Sequence, residues 1–144
     1  MSSEECPRPT VDAIIEMDNK IVLIKRGVEP FKDMWALPGG HVKVKETVED
    51  AIVREVKEET SLDIRLEEIL GVYSDPGRDP RNTITTVFIA KPTFGELKAG
   101  TDASEAKWME LNKINFKELA FDHGKILNDY KKWKERKRTF WSSK

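Results

Sequence analysis

The segment TVEDAIVREVKEET, residues 47–60, constrains this chain more than any other. Read as a helix at about 100° per residue, with Glu55 as origin, it places Val48 at about +20°, Ala51 at about −40°, Ile52 at about +60° and Val56 at about +100°. These form one apolar stripe, which has to lie against a sheet. On the same scale Glu58 sits at about −60° and Glu59 at about +40°. Glu55, Glu58 and Glu59 therefore continue the apolar stripe toward the C-terminal end. The opposite face carries Glu49, Asp50, Arg54 and Lys57. Thr47 stands where an N-cap belongs, with Asp50 three residues on.

Carboxylates spaced three and four residues apart on a helix repel one another. The negative end of the helix dipole adds to that repulsion, and partial burial raises its cost. Arg54 supplies one compensating charge. The remaining excess suits a divalent cation on hard oxygen ligands, Mg²⁺ with Mn²⁺ as the alternative. A soft-metal site is excluded by composition, because the chain has one cysteine, Cys6, and two histidines, His41 and His123. A solvated acidic helix end is the plainer alternative for the same residues. Just upstream, Trp35-Ala36-Leu37-Pro38-Gly39-Gly40 ends in paired glycines, which let backbone approach a ligand closely. An ordinary turn before a helix would read the same way.

The rest of the chain sets the frame. Its 144 residues suit one domain spanning 1–144, with a flexible lead over 1–9 and a basic tail over 131–144. TVDAIIEM and KIVLIKR flank Asp18-Asn19 and predict a β-hairpin. Residues 64–73, 83–91 and 105–111 read as strands, 92–102 as a loop and 120–138 as a terminal helix. Strands first, then one helix, then more strands and a closing helix imply an α/β class with a mixed β-sheet between helical layers. The net charge of −1 creates no field that would draw nucleic acid or an anionic membrane. The start MSSEECPRPT lacks the basic and apolar parts of a signal peptide, and no apolar run reaches the ~20 residues of a membrane span. A cytoplasmic protein with no membrane partner is expected.

Residues 40–62, GHVKVKETVEDAIVREVKEETSL, resemble the Nudix box, G-x5-E-x7-R-E-U-x-E-E-x-G-U with U aliphatic. Gly40, Glu46, Arg54, Glu55, Val56, Glu58, Glu59 and Leu62 all fall at the required positions. Ser61 is the one departure, standing where the box has glycine to end its helix in a left-handed residue. Outside the box, VLIKR (22–26), GVYSDPGRDPR (71–81) and LAFDHGKIL (119–127) look like the small ADP-ribose pyrophosphatases of archaea and bacteria.

The resemblance implies a Nudix-type α/β/α sandwich. It also implies metal-dependent hydrolysis of a nucleoside diphosphate linked to another moiety, with ADP-ribose cleaved to AMP and ribose 5-phosphate as the leading case. By the same likeness Glu55 and Glu59 are metal ligands, Glu58 is a further ligand or the group handling water, and Gly40 contributes backbone. Arg54 orients a carboxylate, and Glu46 braces the loop. Glu105 or Asp102 is the candidate general base. Substrate recognition is expected from Tyr73, Asp75, Arg78 and Arg81 in one loop and from Phe31 or Trp35 stacking a base, with Phe121, Asp122 and His123 approaching the substrate end. A nucleoside triphosphate sanitiser and a non-catalytic ADP-ribose-binding regulator are the rival readings. The tail KKWKERKRTFWSSK (131–144) interleaves basic and aromatic residues, as nucleic-acid contacts do. Packing of its aromatics on the domain, or on a partner in a possible homodimer, is the favoured reading.

Overall fold

The computed structural model describes residues 6–144. Strand β1 (Arg8–Met17) turns through Asp18 and Asn19, both with positive φ, into β2 (Lys20–Arg26). This is the expected hairpin, and the paired left-handed residues match the twist of its strands. β3 (Trp35–Ala36) and β4 (Gly39–His41) follow, then helix α1 (Val48–Thr60), β5 (Asp63–Tyr73), β6 (Thr83–Phe94) and β7 (Ala103–Glu110). Helix α2 (His123–Glu135) and β8 (Phe140–Trp141) complete the chain.

The strands form one mixed sheet. β1 runs parallel to β6 from Arg8 opposite Thr83 to Ile15 opposite Ala90, while β5 is antiparallel to β6. On the other side β2 pairs antiparallel with β3 and β7. β4 lies antiparallel on the first half of β1. Alternation along β1 sorts the two cores. Val11, Ala13 and Ile15 face one way and pack with Ala51, Ile52 and Val56 of α1. Ile14 faces the other way, into a core with Leu70, Tyr73, Ile126, Leu127 and Tyr130 beneath α2. The α/β/α sandwich with a mixed sheet is therefore the observed fold.

Several boundaries differ from the sequence reading. The lead ends sooner than residue 9, because the Arg8 amide donates to the Asn82 carbonyl and the Pro9 carbonyl accepts from Val42 N–H. Residues 1–5 of that expected lead lie outside the described residues. β6 continues through Pro92 to Phe94, past the expected end at 91, with a register shift beside Pro92. The paired glycines form a strand, not a turn. α2 begins at His123 and stops at Glu135, inside the expected 120–138. In the tail, Phe140 is buried and Trp133 packs against the same core, so the domain takes up those aromatics, while Trp141 is 47% exposed. Among the described residues no helix is long and apolar enough to cross a membrane.

α1 begins and ends where the sequence indicates. Thr47 Oγ1 accepts from Asp50 N–H, and Ser61 closes the helix at φ 67°, ψ 8°. That left-handed conformation costs a non-glycine residue about 1–2 kcal/mol, and glycine adopts it freely. The Ser61 hydroxyl recovers little through its 3.3 Å hydrogen bond to the Lys98 carbonyl. Ser61→Gly is expected to stabilise the protein by about 1 kcal/mol, read as a higher melting temperature. An unchanged or lower value would show that the Lys98 contact outweighs the backbone strain.

Candidate active site

Arg54 organises the acidic end of α1. Its Nε and Nη2 donate to the two oxygens of Glu46 at 2.6 and 2.9 Å, a bidentate pair. Nη1 donates to Glu55 at 2.9 Å and to Glu58 at 3.2 Å, and Nη2 also reaches the His41 carbonyl at 3.0 Å. Hydrogen bonds from Arg54 and from Lys43 N–H hold Glu46 down to a pKa of about 2. The fold thus brings Arg54 and Glu46 together, with Glu46 also accepting from the Lys43 backbone.

Glu55 and Glu59 turn the other way, into a cavity between the sheet and the surrounding loops. Burial raises Glu55 to about 7, against the pull of Arg54 and with the help of nearby Glu58. Burial raises Glu59 to about 8; the Gly39 N–H, 2.8 Å from its Oε1, opposes this, while Glu55 and Asp12 add to it. Glu58 stands at the rim with its side chain 53% exposed. Gly40 is glycine because of this crowding: a Cβ there would lie 1.4 Å from Glu55 Oε2.

No three carboxylate or imidazole side chains among the described residues converge into a closed metal cage. The reason is geometric. Arg54 stands between Glu55 and Glu58, and Glu59 is tied to Gly39. What remains is a pair of partly buried carboxylates facing one cavity, Glu55 sharing Arg54 and Glu59 with no cation within ion-pair distance among the described residues. This donor set fits a hard divalent cation that keeps several waters and takes its remaining oxygens from a ligand.

The far walls are basic and polar. Arg26 and Arg81 place their guanidinium carbons 4.9 and 5.4 Å from the centre of the Phe121 ring. Arg26 donates through Nε to the Pro30 carbonyl and has no carboxylate within ion-pair distance among the described residues, so its Nη groups face the cavity for an anion. Burial, and then the nearby charge of Arg81, lower its pKa. His123 is buried; its Nδ1 accepts from Leu37 N–H at 3.0 Å, and its Nε2 lies 3.7 Å from Asp12. Asp12 is held in turn by the Thr85 hydroxyl at 2.6 Å. His41 also lines the cavity, and its Nε2 is the one buried side-chain nitrogen or oxygen without a hydrogen-bond partner among the described residues.

Several expected substrate contacts are corrected. Tyr73 is fully buried in the core beneath α2, its hydroxyl donating to Asp129 at 2.9 Å, because its position in β5 points it inward. Arg78 reaches the cavity wall, but Nε and Nη2 are both spent on Asp122, so it fixes the Phe121–His123 turn and has no fork left for a phosphate. Asp75 caps Gly77 N–H on an exposed turn, outside the cavity. Glu105 lies on the exposed side of β7, 3.7 Å from Lys25, and the structure does not bring it to the cavity; Asp102 does line it. Phe31 meets Phe121 edge-on at 4.7 Å, behind the wall that Phe121 itself forms. Arg81 lines the cavity, its guanidinium shared with Asp79 at 2.9 Å. Sequence reasoning missed Arg26, His41 and Asp12. For Arg26 the signal was a basic residue ending an apolar strand; Asp12, an acidic residue inside an apolar strand, was equally visible.

The NUDIX domain model matches residues 7–130 of the chain. An ADP-ribose pyrophosphatase of Methanocaldococcus jannaschii is 57% identical over 129 residues, covering 89% of this chain and 75% of that protein. Two solved structures share the fold at 26% identity. A NUDIX hydrolase from Nitrosomonas europaea has a TM-score of 0.82, covering 96% of this chain and 78% of the other. The NUDIX domain of Shewanella oneidensis NrtR, complexed with ADP ribose, has a TM-score of 0.76, with 89% and 88% covered.

Proposed function

Because the chain belongs to the NUDIX domain family, we propose that it hydrolyses the diphosphate of ADP-ribose, taking up one water to give AMP and ribose 5-phosphate. The observation that carries this reading is the arrangement of one cavity: partly buried Glu55 and Glu59 on one wall, Arg26 and Arg81 on another. A diphosphate needs both, cations to offset its charge and carboxylates to hold the metal that activates it. The Methanocaldococcus jannaschii relative, an ADP-ribose pyrophosphatase by name, supports the choice of substrate.

Members of the family use divalent metal ions, and Mg²⁺ or Mn²⁺ suits the two carboxylates here. When bound, such an ion neutralises phosphate oxygens and lowers the pKa of water. Glu55 and Glu59 are its proposed holders. Glu58, at the rim, completes the shell or accepts the proton of the attacking water. Arg54 keeps Glu55 and Glu58 aimed, while Arg26 and Arg81 draw the anionic substrate in and offset charge on the leaving phosphate. Phe121 offers an aromatic face beside them.

The test is a substrate panel with Mg²⁺, the products separated by ion-exchange chromatography. ADP-ribose should be the best substrate, with AMP and ribose 5-phosphate in equal amounts. Equal or faster cleavage of a nucleoside triphosphate to monophosphate and pyrophosphate would overturn the assignment.

A further inference from the structure

The family match ends at residue 130, yet the chain beyond it returns to β5 and to the loop that follows it. β8 adds itself parallel to β5, with Phe140 opposite Gly71 and Trp141 opposite Val72. Phe140 is only 3% exposed and belongs to the core beneath α2. The approach is close, since a Cβ on Gly71 would lie 2.0 Å from the Phe140 carbonyl oxygen. The next residue, Ser142, accepts two backbone hydrogen bonds through its hydroxyl, from Ser74 N–H at 2.8 Å and Asp75 N–H at 3.0 Å. A hydroxyl oxygen has two lone pairs, and both are used here.

Those two amides open the loop 74–82, which carries Arg78, Asp79 and Arg81 to the cavity. The far end of the loop is fixed to β1 through the hydrogen bond from Arg8 N–H to Asn82 O. Its near end is fixed by Ser142. Asp75 relays the attachment inward, because its carbonyl accepts from Arg78 N–H at 3.0 Å. We infer that residues 139–142 are a positioning strap for substrate binding, with the Ser142 hydroxyl as its latch on the loop that presents Arg81. Ser142 touches no substrate; it acts by fixing where that loop begins. This inference rests on the proposed role of Arg81 in holding the diphosphate.

The test compares Ser142→Ala with Ser142→Thr, which keeps the hydroxyl. Two readouts are needed: kcat and KM for ADP-ribose, and amide hydrogen exchange at Ser74 and Asp75. Ser142→Ala should raise KM about tenfold, the scale of two net hydrogen bonds, and leave kcat within about twofold. Exchange at both amides should quicken, and Ser142→Thr should restore both readouts. Amides that open while KM stays unchanged would overturn the inference, because the contact would then be structural only. Amides that stay protected, or a loss confined to kcat, would overturn it equally. If the parent protein prefers a substrate other than ADP-ribose, the substrate assignment fails, and KM for the preferred substrate judges the strap instead.

Discussion

Glu55→Gln and Glu59→Gln are each expected to lower kcat by about a thousandfold or more while the protein stays folded. A thousandfold corresponds to about 4 kcal/mol of lost transition-state stabilisation, the scale of a removed metal ligand. Stability should move the other way. Burial raises Glu55 to about 7 and Glu59 to about 8 from an ordinary 4.5. The folded, metal-free protein therefore binds these protons more tightly than the unfolded chain does. Its stability falls as pH rises through the window from about 4.5 to 8, since ionisation is resisted only in the folded state. A neutral amide removes that penalty, so melting curves of the metal-free variants at pH 8 should lie at or above the parent. Full turnover by either variant would remove the carboxylate pair from the chemistry. Glu58→Gln should cost less than either, since that side chain is 53% exposed at the rim.

Gly40→Ala should lower kcat/KM about a hundredfold, the penalty typical of a small misplacement of a positioned group. The added methyl would occupy the place of the Glu55 carboxylate, 1.4 Å from Oε2. A carboxylate at the end of a flexible side chain can move aside, so the fold survives and the site is disordered. Gly39→Ala is the contrasting case. There the new Cβ would lie 2.1 Å from the Val11 carbonyl oxygen, in the backbone of the central strand β1. Backbone cannot step aside, and that variant should lose stability first. Kinetics and melting temperature measured on both variants separate the two effects. Equal loss of stability in both would show that Gly40 serves the sheet and not Glu55.

What could be read before the structure follows a physical divide. The α1 stripe, its Thr47 cap and the Asp18-Asn19 hairpin depend on neighbours within a few residues, and all three are observed. That Arg54, Glu55, Glu58 and Glu59 share one helix end was legible for the same reason, since they fall within two helical turns. The opposite walls of the cavity were not, because they are assembled by strand pairing. Arg26 ends β2, Asp12 lies inside β1 and His123 opens α2. The pairing of β4 with β1, which sets Asp12 opposite the Gly39 that holds Glu59, the β1–β2 hairpin and the docking of α2 bring these groups to one cavity. Tyr73 and Arg78 misled for a related reason. Polar residues in a loop-rich segment look available to a ligand, yet each had an internal partner distant in sequence, Asp129 and Asp122.

Arg54 gives the acidic helix end a cation of its own. A chain whose carboxylates were balanced only by bound ions would have to fold and load together. Here the electrostatic debt is settled internally, so assembly of the scaffold and uptake of the ion are separable events. A chelator should silence such a protein without melting it, and returning the ion should restore turnover as fast as diffusion delivers it.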